Sequence, residues 1–275
     1  MANNKVVSLV NGQSCDLVSA NNRGLAYGDG VFETILVRAC QPLWLDDHLA
    51  RLASGAGQLN ISCDISQIRR DCSLLLAGLN TSAAVLKVVL TRGAVARGYT
   101  PYPAESDRIL SVSDYTQNCQ PWDDGIALGL CKTQLSAQAR LAGIKHLNRL
   151  EQVLAAEELH RRGYREGLMM HNGLIIEGSR SNVFLVRDGE LFTPSLRSCG
   201  VDGVMRQHVL ARADQLGISI NIKEFGVSLL QRAEEVFVCN SVFGIWPVNK
   251  VECMHKQIGP ISRLFQREFH NYFYV

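Results

Sequence analysis

The amino-acid sequence predicts an α+β protein with two domains, and three features of its 275 residues support that prediction. Strand patterns occur in groups separated by short turns, few helical patterns interrupt them, and a polar stretch containing a proline divides the chain near residue 120. Strands grouped in this way favour antiparallel meanders over a doubly wound sheet, in which strands and helices alternate. We expect residues 1–115 to form a small N-terminal domain, residues 116–125 a linker, and residues 126–275 a larger domain.

The elements of the first half follow from hydrophobic periodicity and turn residues. The stretch KVVSLVNG predicts a strand ending in a turn, because Asn11-Gly12 tolerates positive φ. A second strand is predicted over Val31–Arg38. The stretch WLDDHLARLASGAGQLN has apolar residues at helical spacing, another helix is predicted over 65–79, and AVLKVVLTRG and DRILSVSDY are rich in strand-forming residues.

In the second half, NRLEQVLAAEELHRRG predicts the clearest helix of the chain. Asn148 is its expected N-cap, and Glu151 would complete a capping box. Its expected buried face is an apolar stripe of Leu150, Val153, Leu154 and Leu159.

Hairpins and one more helix complete the second half. Two hairpins are predicted, with turns at Asn172-Gly173 and Asp188-Gly189. A helix is predicted over 203–216, followed by the strand patterns ISINIKEF and EEVFVCNSVFGIWPV.

Charge and composition narrow the partners. Lys and Arg total 28 against 26 Asp and Glu, and this near-neutral balance argues against a nucleic-acid partner. The nine cysteines are scattered without C-x-x-C spacing, so we expect reduced thiols and no metal site. No apolar stretch approaches the roughly 20 residues that a membrane-spanning helix needs. The sequence predicts a soluble, cytoplasmic protein.

Lys145 and Glu177 are the first candidates for chemistry. Lys145 lies among apolar residues in LAGIKHLN, and apolar surroundings disfavour the ammonium form, as a Schiff-base lysine requires. The alternative is a lysine whose head group reaches water. Glu177 ends the apolar run GLIIEG, where a buried carboxylate needs a cationic partner. The protonated pyridine nitrogen of pyridoxal phosphate would serve, and an ion pair with an arginine is the alternative.

An anion site is the third candidate. GVDGVMRQHVL places glycines at a helix start, where free backbone N–H groups and the helix dipole favour a phosphate. Arg51 in HLARL could add a bidentate phosphate contact, or it could pair with Asp47 one turn earlier. Motifs for P-loop nucleotide binding, zinc proteolysis and serine acyl transfer do not occur in the sequence.

A lysine, a glutamate and an anion site in this order resemble the fold-type IV pyridoxal-phosphate enzymes, and the resemblance covers essentially the whole chain. YGDGVFET at residues 27–34 matches the family's N-terminal signature, HLARL carries its phosphate arginine, and EGSRSNVF its pyridine carboxylate. The resemblance implies a D-amino-acid aminotransferase-like fold, with a small N-terminal α/β sandwich and a larger strand-rich domain with helices. It also implies pyridoxal 5'-phosphate as cofactor and a homodimer.

Within this family the chain looks like the lyase branch. IKHLNRLEQ, the Arg97-Gly98-Tyr99 loop and Thr34 are similar to the lyase pattern, and GVDGVMRQ is similar to the lyase GVNGIMRQ, with Asp202 in place of Asn. The implied activity is that of a 4-amino-4-deoxychorismate lyase, which eliminates pyruvate and gives 4-aminobenzoate for folate biosynthesis. The alternatives are an aminotransferase for D-amino or branched-chain acids and a non-catalytic protein that keeps the fold.

The resemblance also implies roles for individual residues. Lys145 would carry the cofactor and act as general base, and Thr34 would assist proton transfer. Arg97 and Tyr99 would meet a substrate carboxylate, in this family often from the neighbouring subunit. The remaining cofactor contacts would come from Glu177, Arg51, the backbone of Val204 and Met205, and the hydroxyl of Ser241.

Overall fold

The computed structural model describes residues 7–79, 81–95, 98–102 and 104–274. Within these residues the chain forms two compact units. The first contains the residues up to Thr116 together with the short segment Ile144–Asn148. The second contains Gln117–Gly143 and the residues from Arg149 onward. The chain therefore passes between the units three times, and Lys145 belongs to the first.

An antiparallel sheet forms the described part of the first unit. Its strands are β1 (Val7–Val10), β2 (Gln13–Ser14), β3 (Gly30–Arg38), β4 (Gln41–Pro42), β5 (Ala83–Thr91) and β6 (Asp107–Asp114). They pair in the order β2-β1-β6-β5-β3-β4. The predicted turn is confirmed, since Asn11 and Gly12 have φ of 53° and 81°.

The helices described in this unit are α1 (Arg23–Tyr27), α2 (Leu45–Gln58) and α3 (Ile65–Leu76). The apolar periodicity predicts α2 and α3, which pack on the sheet, whereas α1 was not predicted. Helix α2 packs against β3 through buried Leu49 and Leu52, and α3 packs against β6. Burying one leucine side chain contributes roughly 2 kcal/mol, so these faces hold the helices in place. Asp64 caps α3 by accepting a hydrogen bond from the backbone N–H of Gln67 at 3.0 Å.

A mixed nine-stranded sheet forms the second unit within the described residues. Its strands are β7 (Ile126–Gln134), β8 (Glu166–His171), β9 (Leu174–Gly178), β10 (Asn182–Arg187), β11 (Glu190–Pro194), β12 (Ile220–Lys223), β13 (Glu235–Asn240), β14 (Gly244–Val251) and β15 (Met254–His255). Their order is β12-β11-β10-β13-β14-β7-β8-β9, with β15 beside β14. Both predicted hairpins are confirmed, because β8 pairs with β9 and β10 with β11 in antiparallel register.

The helices of the second unit are α4 (Gln120–Asp124), α5 (Leu150–Arg161), α6 (Val204–Gln215), α7 (Val227–Arg232) and α8 (Pro260–Phe273). Buried Glu235 holds the start of α8, accepting from the backbone N–H groups of Ile261 at 3.1 Å and Ser262 at 2.7 Å. The α+β class is thereby confirmed. Within the described residues, no helix combines the length and the apolar character that crossing a bilayer requires.

The predicted start and buried face of α5 are wrong. The N-cap position is Arg149, without a capping side-chain bond, because the Asn148 amide donates to the carbonyl oxygen of Gly28 at 3.1 Å. Glu151 instead accepts from the backbone N–H of Ser136. Leu159 is buried as expected. Three members of the predicted stripe are exposed: Leu150, Val153 and Leu154.

Candidate functional site

Lys145 lies on a short segment, Ile144–Asn148, that runs beside β3 in the first unit. The carbonyl oxygen of Lys145 accepts from the backbone N–H of Phe32 at 3.0 Å. Ile144 is buried against Gly55, where an added Cβ would lie 2.5 Å from the Ile144 Cγ2 atom. This glycine lets the segment approach α2 closely, so the backbone of Lys145 is fixed on both sides.

The ammonium group of Lys145 lies over an aromatic ring. Its Nζ atom is 4.5 Å from the centroid of the Phe32 ring, and the side chain is half-buried. Thr34 projects from the same face of β3 as Phe32, because side chains alternate along a strand. A second lysine, Lys87, pairs in register with Thr34 and has its Nζ atom 5.5 Å from the same ring. Two lysine ammonium groups and the Thr34 side chain therefore lie at the same face of the sheet.

A buried ionic cluster of Glu33, His48 and Arg51 joins β3 to α2. The Glu33 carboxylate accepts from Arg51 Nε at 2.8 Å and from Arg51 Nη2 at 2.5 Å. His48 Nδ1 lies 2.6 Å from the same carboxylate, and Glu33 and His48 are both fully buried. Arg51 was expected to meet a phosphate or Asp47. Its contact with Glu33 fixes two of its nitrogens and leaves the phosphate role a prediction.

Two observations indicate that His48 is neutral. Burial is the largest cause that lowers the pKa of His48, and it outweighs Glu33, while the charges of Arg51 and Lys145 act in the same direction as burial. The His48 Nε2 atom is buried and has no hydrogen-bond partner among the residues that the structure describes, so a proton there would be an unsatisfied donor. Burial opposes ionisation of Glu33, but Arg51 and His48 outweigh it and hold the pKa of Glu33 below its usual value.

The two proposed substrate residues differ in what the structure describes. Arg97 lies outside the described residues. Tyr99 is 85% exposed, and its ring centroid lies 5.3 Å from that of Tyr27 in α1. Tyr27 also lies below the guanidinium of Arg23, at 4.8 Å. An aromatic pair with an adjacent cation therefore forms one surface of the first unit.

Glu177 lies near the end of β9 in the second unit, and it is buried as the sequence predicts. Its Oε2 atom accepts from the backbone N–H of Val201 at 2.8 Å. Gly200 precedes this donor with φ of 91°, and a Cβ there would come 3.5 Å from Oε2 and 2.7 Å from Leu196 Cδ2. Only glycine suits this turn, which holds one lone pair of the carboxylate to a fixed backbone donor.

The start of α6 matches the predicted anion site in form. Gly203 precedes it, and no side chain caps the helix. A Cβ at Gly203 would lie 2.1 Å from Asn182 Oδ1, so the helix start and β10 approach too closely for any side chain there. Val204 and Met205, the first two helical residues, are buried. Uncapped N–H groups at a helix start attract anions.

Asp202 adds a carboxylate just before this helix start, but its charge is locally compensated. Its Oδ1 atom accepts from Arg206 Nη1 at 2.8 Å, and both of its oxygens lie 2.6 Å from Gln207 Nε2. Ser241 is also buried in this unit, directly after β13. The loop that carries Ser241 is held by Asn240, whose Oδ1 accepts from the N–H groups of Val242 and Phe243 at 2.9 Å.

The predicted site residues thus divide between the units. Lys145, Thr34, Arg51 and Tyr99 belong to the first. Glu177, Val204, Met205 and Ser241 belong to the second. Within the described residues, no group of three or more His, Cys, Asp or Glu side chains could hold a metal ion.

Two residues of the first-unit cluster were not singled out from the sequence. Glu33 lies between Val31 and Ile35 on the buried face of β3, and His48 shares the buried face of α2 with Leu52. A charged or titratable side chain on an otherwise apolar face therefore indicated a buried polar cluster at these positions. Both residues lie inside stretches that were interpreted as a strand, a helix and family signatures, without a role for either side chain.

Comparisons with known proteins show which family this chain belongs to. The model for amino-transferase class IV matches residues 30–251. A curated aminodeoxychorismate lyase from Vibrio harveyi is 33% identical, over 94% of this chain and 96% of that protein.

Solved structures agree with the expected fold-type IV architecture. The 4-amino-4-deoxychorismate lyase from Pseudomonas aeruginosa has a TM-score of 0.91 and 42% identity, covering 96% of this chain and 98% of that one. A branched-chain amino acid aminotransferase from Escherichia coli has a TM-score of 0.88 at 26% identity, covering 97% and 94%. The family and fold predicted from the motifs are confirmed: this chain belongs to the class IV aminotransferase family.

Proposed function

We propose that this chain is a 4-amino-4-deoxychorismate lyase that depends on pyridoxal 5'-phosphate and releases pyruvate to give 4-aminobenzoate for folate biosynthesis. The observation that carries the proposal is the 42% identity to the Pseudomonas lyase along 96% of the chain. The aminotransferase from Escherichia coli, which represents the alternative activity, is more distant at 26%. The half-buried Lys145 and the buried Glu177 supply the amine and the carboxylate that the proposed cofactor requires.

The residues present fit this cofactor. Glu177 is a buried carboxylate with a backbone donor on one oxygen, suited to a protonated ring nitrogen. The uncapped start of α6 at Val204 and Met205 suits a phosphate, with Arg51 and the hydroxyl of Ser241 as further donors. When bound, pyridoxal phosphate supplies an electron-withdrawing ring that stabilises negative charge on a substrate carbon. Lys145 is the residue proposed to carry it.

The protein's own groups then move a proton and hold the substrate. Once the substrate amine has taken its place on the cofactor, the freed Lys145 Nζ would take the proton from the carbon that bears this amine. The proton is then available to the departing enolpyruvyl group, which leaves as pyruvate while the ring becomes aromatic. Thr34 lies on the same face of β3 as Phe32, whose ring faces Lys145 Nζ, and is proposed to assist this transfer. Arg97 and Tyr99 are proposed to bind a substrate carboxylate.

The setting of this activity is also a proposal. We propose a homodimer in the cytoplasm, acting on a small molecule and without nucleic-acid or membrane partners. The small N-terminal domain would comprise residues 1–115 and the larger one residues 126–275, with 116–125 between them. The near-neutral charge supports a small-molecule role, because a polyanion partner would favour a strong basic excess.

Product formation tests the activity. The purified holoenzyme is incubated with aminodeoxychorismate and, in a second reaction, with D-alanine and a keto acid. We expect 4-aminobenzoate and pyruvate in equal amounts in the first reaction. A keto-acid product in the second reaction without 4-aminobenzoate in the first would refute the lyase proposal and favour the aminotransferase.

Two lysines near one ring provide a matched test of the cofactor residue. Lys145→Ala should abolish the visible absorbance that borohydride bleaches, and Lys87→Ala should retain it, although both ammonium groups lie within 5.5 Å of the Phe32 ring. Mass spectrometry of the reduced protein should find the cofactor on the peptide that contains Lys145. Retained absorbance in Lys145→Ala would show that another lysine carries the cofactor.

A further inference from the structure

Arg23, the first residue of α1, directs its guanidinium toward the backbone next to Tyr99. Arg23 is 5% exposed. Its Nη1 atom donates to the carbonyl oxygen of Gly98 at 2.6 Å, and its Nη2 atom donates to that of Tyr99 at 3.1 Å. Its Nε atom donates to Asp29 Oδ2 at 2.7 Å. All three guanidinium nitrogens are therefore engaged, and two of them hold consecutive carbonyl groups.

The same residue also anchors the chain just before this loop. The backbone N–H of Arg23 donates to the carbonyl oxygen of Gly93 at 2.9 Å, and Asn22 forms an isolated bridge with Ala94. Gly93 has φ of 78°, and a Cβ there would lie 2.1 Å from the Glu105 carbonyl oxygen, so this end of the loop is tightly confined. Arg23 thus fixes the backbone at Gly93, before the loop, and at Gly98 and Tyr99 within it.

The aromatic neighbours of Arg23 complete the arrangement. The guanidinium carbon is 4.8 Å from the centroid of the Tyr27 ring, and this ring is 5.3 Å from that of Tyr99. The Tyr99 ring is largely exposed. Burial therefore does not hold this ring, and in the part of the chain that the structure describes it is positioned by the backbone bond from Arg23 to Tyr99 and by the contact with Tyr27.

We infer that Arg23 is a positioning residue for substrate binding: it holds the backbone of Gly98 and Tyr99 so that the Tyr99 side chain meets the substrate. The inference rests on the proposed function, because the substrate role of Tyr99 does. Arg23 is not itself proposed to touch the substrate or the cofactor. It acts through Tyr99, and a misplaced Tyr99 weakens substrate binding more than it slows the chemical step.

Arg92 is a matched control. It is 9% exposed, and its Nε atom donates to the same Asp29 carboxylate at 2.8 Å. Its Nη2 atom donates to Asp29 Oδ1 at 3.2 Å and to the carbonyl oxygen of Leu59 at 2.6 Å, and its Nη1 atom donates to that of Asn60 at 2.8 Å, so these bonds do not reach Gly98 or Tyr99. Replacing either arginine by lysine therefore removes a buried guanidinium from Asp29, but only the change at Arg23 releases Gly98 and Tyr99.

Kinetics of 4-aminobenzoate formation by the holoenzyme give the first readout. We expect Arg23→Lys to raise KM about tenfold, as the loss of one to two hydrogen bonds implies, with kcat within about twofold. Arg92→Lys should leave KM near the wild-type value. The effect of Arg23→Lys on KM should largely disappear in a Tyr99→Ala background, since both changes then remove the same interaction.

Hydrogen exchange gives a readout that needs neither substrate nor cofactor. In the cofactor-free protein, peptides covering residues 98–102 should exchange faster in Arg23→Lys than in wild type, and Arg92→Lys should not change them. If the wild type forms no 4-aminobenzoate, the proposed function fails, and exchange still reports whether Arg23 holds the loop.

Three results would overturn the inference. These are unchanged exchange in Arg23→Lys, an equal KM increase in Arg92→Lys, and a full KM effect of Arg23→Lys in the Tyr99→Ala background. If Arg23→Lys does not fold, Arg23→Gln provides the same comparisons without leaving an ammonium group in a buried position.

Discussion

Replacing Glu33 by glutamine should destabilise the folded protein by about 3 kcal/mol, because the change breaks a buried ion pair while its partner stays in place. Glu33 accepts two bonds from Arg51, at 2.8 and 2.5 Å, and a third from His48 at 2.6 Å. Glutamine keeps the volume and one acceptor oxygen. Its amide N–H groups, however, would face the N–H groups of Arg51 or His48, and the Arg51 charge would lose its counter-charge.

Acidification should reduce this difference in stability. The pKa of folded Glu33 lies below the ordinary value of 4.5, so its ionised form stabilises the protein above pH 4.5. That contribution is lost as the pH falls through the folded pKa. Glutamine does not titrate, so the gap between wild type and Glu33→Gln should narrow below pH 4.5.

Urea unfolding of the cofactor-free protein, followed by circular dichroism, measures the change. Asp46→Asn is the matched control, because Asp46 pairs with Arg69 at 2.5 Å in the same unit, with the two side chains 84% and 47% exposed. Exposed pairs contribute little, so this change should cost less than about 1 kcal/mol. Equal losses in the two variants would refute the reasoning that burial makes the Glu33 cluster strong.

Three further changes probe other parts of the structure. In urea titrations, wild type should lose up to about 1.4 kcal/mol of unfolding free energy per pH unit as the pH falls below 6.5, because folded His48 has a lowered pKa and is neutral. His48→Gln should make this slope shallower. An unchanged slope would contradict the neutral state of His48. Gly200→Ala should lower Tm more than Gly189→Ala, since both have positive φ but only the methyl group at 200 comes within 2.8 Å of neighbouring side-chain carbons. Glu235→Gln should cost about 2 kcal/mol in urea unfolding through weaker bonds to the start of α8, and exposed Glu234→Gln close to none; similar losses would argue against the capping role.

Local signals predicted the elements of this fold, because the forces that form them act over a few residues. Asn172-Gly173 and Asp188-Gly189 adopt the positive φ values that tight turns need, whatever lies around them. Asn148 shows the limit of such signals. In sequence it is a good helix cap, but its amide instead donates to the carbonyl oxygen of Gly28, a partner far away in the chain.

The chemistry of the site was predictable in parts for the same reason. The apolar flanks of Lys145 and the apolar run before Glu177 indicated burial, and the structure agrees for Ile144 and Glu177. The bonds from Arg51 to Glu33, and from Arg23 to Gly98 and Tyr99, join residues separated by long stretches of sequence. Periodicity along one element cannot report which distant element will supply its partner.

The segment Ile144–Asn148 has a consequence for the order in which the protein matures. This segment is bonded into the first unit, since the N–H of Phe32 donates to the carbonyl oxygen of Lys145, the N–H of Leu147 donates to that of Gly30, and Ile144 packs against Gly55. A nascent chain that has emerged only as far as Thr116 therefore cannot finish folding this unit. A chain that ends before residue 144 therefore lacks these contacts of the first unit as well as Lys145, the residue proposed to carry the cofactor.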